Sequence, residues 1–282
     1  MRSAASRRVV RMSQPFRVET ATRALEATHV AFFSRMGLCP GGQTGSYRGV
    51  TWNDSGADYP LFNSAFSTGP DPRSETIAEV VHHFREANRS FTWWSLPSQS
   101  TERLSDLLVA AGLVHEEDAP GMALDLTNRG SPPPSPQGLS IETLDEADNL
   151  VRFGQTLNAG DFQAPAPIAR EIPRLLRPRP GEAGVRFFVG FLGDRPVATA
   201  LRFLRDRVVG IYGIATIPEA RRQGIGAAMT LAAINDGRDA GGNLAVLTST
   251  SLGFSVYQRL GFRQCCRLGA NVWHPPSASR RI

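Results

Sequence analysis

Residues 208–228 read VVGIYGIATIPEARRQGIGAA. The apolar, β-branched run at its start predicts a strand over Arg207–Thr216. Pro218 ends that run, and a helix is predicted from near Arg222 to about Ala240, where Gly241-Gly242 stops it. Between the two stands Arg221-Arg222-Gln223-Gly224-Ile225-Gly226. A helix start leaves several N–H groups unpaired and carries a partial positive charge. Glycines there let an anion approach the backbone closely, and two arginines and a glutamine add donors. A strand, a proline, arginines and a glycine pair in this order suit a pyrophosphate.

Outward from this stretch, the second half alternates strands and helices. Strands are predicted over Leu139–Thr143, Val185–Leu192, Arg195–Leu204 and Leu244–Thr248, with one or two closing strands in Phe262–Trp273. Gly193-Asp194 marks a hairpin. Helices are predicted from Asp145 to about Leu157, over Ile168–Leu176 and over Leu252–Leu260. The order β-α-α-β-β-β-α-β-α-β predicts a mixed α/β sheet. Residues 127–138, TNRGSPPPSPQG, read as a stiff linker. The first half shows helices over Ala21–Met36, Ile77–Ala87 and Glu102–Ala111, and strands over Phe91–Leu96 and Met122–Leu126. Its last three elements have the β-α-β order that closes the second half, which points to an internal duplication.

A second motif follows the first by some thirty residues: Tyr257-Gln258-Arg259-Leu260-Gly261-Phe262. Together, R-x-x-G-x-G at Arg221–Gly226 and Y-x-x-x-G-F at Tyr257–Phe262 resemble the two signatures of the GCN5-related N-acetyltransferases. The resemblance covers about residues 139–282. It implies the GNAT fold, a mostly antiparallel mixed sheet with a splayed strand at the acetyl-CoA site. The first half is similar to the degenerate copy of a tandem member. The division so implied is a basic tail (1–12), a degenerate domain (13–126), the linker (127–138), a catalytic domain (139–275) and a tail (276–282). The resemblance further implies that backbone groups of Ile214, Ala215 and Thr216 hold the pantetheine arm. It gives the pyrophosphate to the N–H groups of Arg222, Gln223, Gly224, Ile225, Gly226 and Ala227. Tyr257 becomes the acid that protonates the departing thiolate. Where many members carry Asn, seven residues before the tyrosine, this chain has Thr250. No carboxylate lies on the central strand, so Glu219 in the next loop ranks first as base and Asp161 second. The acceptor is expected to be a primary amine of a small molecule. A protein or peptide acceptor, or a non-catalytic acyl-CoA-binding module, are the alternatives.

Composition narrows the classes. The 282 residues carry a net charge of +5 and no lysine, which removes Schiff-base chemistry. Arg2, Arg7, Arg8, Arg11, Arg280 and Arg281 account for the whole excess, so the body has no basic face for nucleic acid. No apolar run reaches the about 18 residues of a membrane span. Three cysteines form no disulfide framework, and a cytoplasmic monomer or homodimer is expected. His82-His83 with Glu79 and Glu86 reads as a solvated helix face, not a metal site; Trp93-Trp94 reads as core, and Cys265-Cys266 as buried thiols on alternate faces of a strand. Gly37–Gly45 reads as a loop.

Overall fold

The computed structural model describes residues 17–69, 72–127, 135–144, 149–162, 164–179, 182 and 184–276. Both arginine tails, most of the Pro-rich linker, and Asp145 and Asp148, which the sequence suggests for a helix start, lie outside these residues.

The first half contains α1 (Val18–Ser34), β1 (Gln43–Tyr47), β2 (Val50–Asp54), β3 (Ser64–Ser67), α2 (Ser74–Glu86), β4 (Phe91–Ser95), α3 (Glu102–Ala110) and β5 (Val114–Asp125). The second contains β6 (Leu139–Leu144), α4 (Asn149–Leu157), α5 (Ala166–Leu176), β7 (Val185–Leu192), β8 (Arg195–Arg205), β9 (Val208–Thr216), α6 (Ile225–Asp239), β10 (Leu244–Thr248), α7 (Ser251–Arg259) and β11 (Arg263–Trp273). All the strands join one sheet in the order β1-β2-β3-β4-β11-β5-β10-β9-β8-β7-β6.

The two halves exchange their closing strands. β5 leaves its own half and pairs with β10, Gly121 opposite Thr248 and Asp125 opposite Leu244. β11 makes the reciprocal move and pairs with β4, Trp273 opposite Phe91. The two exchanged strands then pair with each other from Arg263↔Ala123 to Val272↔Val114. The halves correspond across this seam. β3 runs parallel to β4, as β9 runs parallel to β10, and α2 and α6 connect the matching pairs.

Alternation along the strands assigns the core. On β10, Val246 faces a cluster that spans both halves beneath α1, α4 and α5, while Ala245 and Leu247 face the cluster beneath α6 and α7. On β4, Trp94 joins the first of these and Phe91 and Trp93 join a third cluster beneath α2 and α3. Trp93 and Trp94 are both buried, as their strand position predicts.

Several expectations are corrected. β5 is 12 residues long and starts at Val114, not Met122. Gly37–Gly45 is not all loop, since Gln43 begins β1. His83 is not simply solvated; its Nε2 lies 3.2 Å from the buried carboxylate of Asp54. Cys265 and Cys266 straddle a β-bulge, which turns both thiols to one side with Sγ atoms 3.8 Å apart.

Candidate active site

The site begins with a break in the sheet. β9 and β10 pair only at Leu244↔Val208, Ala245↔Val209 and Val246↔Gly210. Leu247 and Thr248 continue along β5 alone. On its other edge β9 stays with β8 as far as Thr216↔Ala198, but the register slips between Thr199 and Leu201. Gly213 sits at that slip with φ +55°, a conformation a side chain disfavours. The Thr199 hydroxyl donates to the Gly213 carbonyl at 2.8 Å and holds the bulge. The bulge bends β9, and among the described residues no strand covers the β10-side edge of Ile211–Thr216. Ile214, Ala215 and Thr216 therefore present backbone groups to a wedge-shaped opening.

The loop after β9 forms the second part. A short 3-10 turn, Pro218–Ala220, leads to Arg222 at φ +61° and Gly224 at φ +78°. Alternating left-handed residues turn successive N–H groups toward one concavity, which favours an anion. Helix α6 starts at Ile225, three residues later than the sequence suggests, with Gly224 as its N-cap. Among the described residues, the first N–H after Arg221 that finds a backbone carbonyl belongs to Ala228, bonded to Gly224. The N–H groups of Arg222, Gln223, Gly224, Ile225, Gly226 and Ala227 thus make no backbone bond among the described residues. No acid stands in the first turn of α6. Arg221 has a structural task here. Its guanidinium donates to the carbonyls of Thr216 (3.1 Å) and Gly160 (2.9 Å), tying the end of β9 to the π turn at Asn158–Phe162.

The third part is a cavity of about 350 Å³ where the wedge closes. Gly213, Ile214, Thr250 and Tyr257 line its second-half side. Tyr257 is buried at 8% exposure, and its ring meets Phe262 edge-on at 5.9 Å. Thr250 reaches the cavity and also caps α7, its hydroxyl accepting from the Gly253 N–H at 3.3 Å. The remaining wall comes largely from the first half: Phe32, Phe33 and Met36 from α1 and its extension, Tyr59 from the turn before β3, and Trp94 from β4. Phe32 stacks flat on Tyr212 of β9, with centroids 3.6 Å apart, and burial pushes the Tyr212 phenol well above its ordinary range.

Of the two carboxylates ranked as base, Glu219 lies off the cavity. It is exposed and pairs with Arg195 at 3.6 Å. Asp161 belongs to the π turn by its backbone. The carboxylate that does line the cavity is Glu117, missed because its stretch, Glu116-Glu117-Asp118, reads as a charged loop. β5 outruns the end of β10, and alternation places Glu117 on the face of Ala119, which also lines the cavity. The signal available was Ala119, Gly121 and Ala123 at every second residue, which extends the strand backward.

Residues 155–262 match the model of the acetyltransferase (GNAT) family. Over that stretch the chain is similar to the GNAT acetyltransferases. No curated protein matches it. A GCN5-related N-acetyltransferase from Kribbella flavida is similar in structure, with TM-score 0.63 and 17% identity over 88% of this chain and 95% of that one. A GCN5-related N-acetyltransferase from Sphaerobacter thermophilus gives 0.56 and 14%, over 80% and 76%. A tandem GNAT protein from the clavulanic acid biosynthesis pathway gives 0.54 and 13%, over 89% and 95%. These identities speak for the fold, and the GNAT fold spans most of the chain. Among the described residues no helix is long and apolar enough to cross a membrane, and no cluster of His, Cys, Asp and Glu could hold a metal.

Proposed function

We propose that this protein transfers the acetyl group of acetyl-CoA to the primary amine of a small molecule in the cytoplasm, where its three free thiols stay reduced. The observation that carries the reading is the continuity of the site: an anion-ready loop, an uncovered strand edge and a partly open cavity at Tyr257 lie in sequence along one opening of the sheet. The residues fit acetyl-CoA. The N–H groups from Arg222 to Ala227 would hold the pyrophosphate, and the free edge of Ile214–Thr216 the pantetheine. Acetyl-CoA supplies the acetyl group as a thioester, activated for direct attack. Backbone N–H groups of β9 would polarise its carbonyl, and Tyr257 would give a proton to the departing sulfur. The first half is proposed to bind no second acetyl-CoA, since α2, which matches α6, has Glu75 in its first turn.

The walled cavity favours a small acceptor over a peptide. Its volume is near the lower end of the about 300–1,000 Å³ of small-molecule sites, and a peptide needs an open groove. The test is thermal stability with acetyl-CoA on the wild type and on Gly226→Glu. A Cβ at Gly226 meets only the Thr216 hydroxyl at 3.5 Å, and an acid near a helix start suits the fold, so this variant stays folded. At 100 times its Kd, acetyl-CoA should stabilise the wild type by about 2.7 kcal/mol and leave Gly226→Glu unmoved. Equal shifts, or none, would remove the cofactor site. Free-thiol release with a panel of amines then separates an enzyme from an acyl-CoA-binding module.

A further inference from the structure

Resting on that reading, we infer that the acceptor is a primary amine on a flat, apolar body, with its amino group drawn to Glu117 and its body seated among the aromatic side chains that the first half contributes. Three pairs of rings shape the cavity. Phe32 stacks on Tyr212, Phe33 tilts against Trp94 at 5.4 Å, and Tyr59 lies against Phe62 at 5.1 Å. All but Tyr212 come from the first half. Such walls select a planar ring by face and edge contacts, and their faces also attract an ammonium. Leu157, Leu176 and Leu201 add aliphatic side chains to the lining.

Charge in the cavity points the same way. Glu117 is the one carboxylate among its lining residues, and no arginine or histidine lines it. The neighbouring Asp118 lies 3.5 Å from His115, whereas Glu117 has no ion-pair partner among the described residues. Glu117 stands exposed at the rim of the aromatic cavity, and one negative group at that rim suits one cation. An amino acid would bring a carboxylate with nothing to pair it, next to Glu117. A polyamine would bury a second cation unpaired.

The chemistry balances on these groups. The bound ammonium passes one proton to Glu117, directly or through a water. The freed nitrogen lone pair attacks the thioester carbonyl carbon, so a C–N bond forms as the C–S bond breaks. Tyr257 protonates the sulfur, and the proton lost from the product nitrogen restores Tyr257 through solvent. Glu117 releases its proton to bulk water through its exposed side.

The test uses the full chain and four amines: 2-phenylethylamine, phenylalanine and spermidine, with n-propylamine as the control without a ring. Binding is measured by calorimetry without acetyl-CoA, and transfer by thiol release. 2-Phenylethylamine should bind at least about tenfold more tightly than phenylalanine or spermidine. Glu117→Gln should lower its binding and kcat/KM by about 10–100-fold while leaving the acetyl-CoA thermal shift intact. Trp94→Leu should raise KM for 2-phenylethylamine several-fold and that for n-propylamine little. Phenylalanine or spermidine binding as well as 2-phenylethylamine would overturn the inference, as would an unaltered kcat/KM in Glu117→Gln. Failure of the acetyltransfer reading shows separately, as an absent acetyl-CoA shift, while the amine-binding arm still decides the class the cavity accepts.

Discussion

Tyr257 stands where the cavity meets the end of β10, and its seat is made by its neighbours. A Cβ at Gly253 would come within 2.8 Å of the Tyr257 ring, so the glycine one turn back is what lets the ring lie down on α7. The edge contact with Phe262 holds the other side. These two contacts are to the ring, so Tyr257→Phe keeps them while removing one acidic proton. Loss of a positioned general acid should lower kcat by about 100-fold or more, with the acetyl-CoA thermal shift unchanged. A variant with wild-type turnover would assign the thiolate's proton to another group. At this scale residue type alone was enough to single out Gly224, Gly226 and Tyr257 as candidates. It was uninformative for Glu117, because an acid in an acidic run declares its role only when the strand beneath it is known. Arg221 shows the converse. Its type suggested a phosphate donor, and the fold uses it to bind two carbonyls.

Among the elements, those with strong apolar runs were legible: β7, β8, β9 and β10 fall within a residue of the predicted limits at almost every end. β1 and β2 were not, because the exposed residues of Gln43–Tyr47 and the Trp-Asn-Asp of β2 carry no clean alternation. β3 is four buried residues, Ser-Ala-Phe-Ser, too short to show a period. An unforeseen tie joins the end of α1 to the end of α5. Arg35, on the 3-10 extension of α1, donates to the carbonyls of Leu176 and Arg177 at 3.3 and 3.2 Å and to Glu182 at 2.9 Å. A cation on the last carbonyls of a helix is favourable, and here it belongs to the other half of the chain. Burial alone would raise the Glu182 carboxyl, but the hydrogen bonds and charge of Arg35, then those of Arg179, bring it down to about 2. Its folded value lies below its ordinary 4.5, so the stabilisation is complete above pH 4.5 and is lost as pH falls toward 2. His29, buried among Phe33, Trp94 and Phe66, is held down to about 3 by burial, which adds a loss beginning below pH 6.5. Glu182→Gln should cost up to about 3 kcal/mol at pH 7 and flatten the urea-midpoint profile between pH 4.5 and 3, leaving the His29 portion above it. A variant profile parallel to the wild type would deny the clamp its role.

For the whole molecule, the strand exchange explains why a first half without the phosphate loop is retained in the fold. β10 needs β5 to cover the edge that turns away from β9, and β4 needs β11 in the same way. The first half also gives the cavity most of its aromatic wall and Glu117, so neither half holds a complete site. The Pro-rich stretch read as a stiff linker between two domains because sequence periodicity reports which face of a strand is buried, not which strand lies beside it. The pairing partner is set by long-range register, here Gly121 opposite Thr248 and Trp273 opposite Phe91, which no local pattern encodes. A consequence follows for cooperativity. Residues 17–126 alone would expose the β4 edge that β11 covers and would lack a partner for β5. Residues 135–276 alone would expose the β10 edge and leave β11 without either neighbour. Open apolar edges of this kind template aggregation. Each half expressed alone should therefore be insoluble or molten, and the two co-expressed should recover a soluble complex that binds acetyl-CoA. The intact chain should unfold in one transition, with calorimetric and van't Hoff enthalpies equal within error. Two resolved transitions, or a soluble and cooperatively folded residue 135–276 fragment, would show that the exchanged strands are an accessory to two self-sufficient domains and not the seam that makes them one.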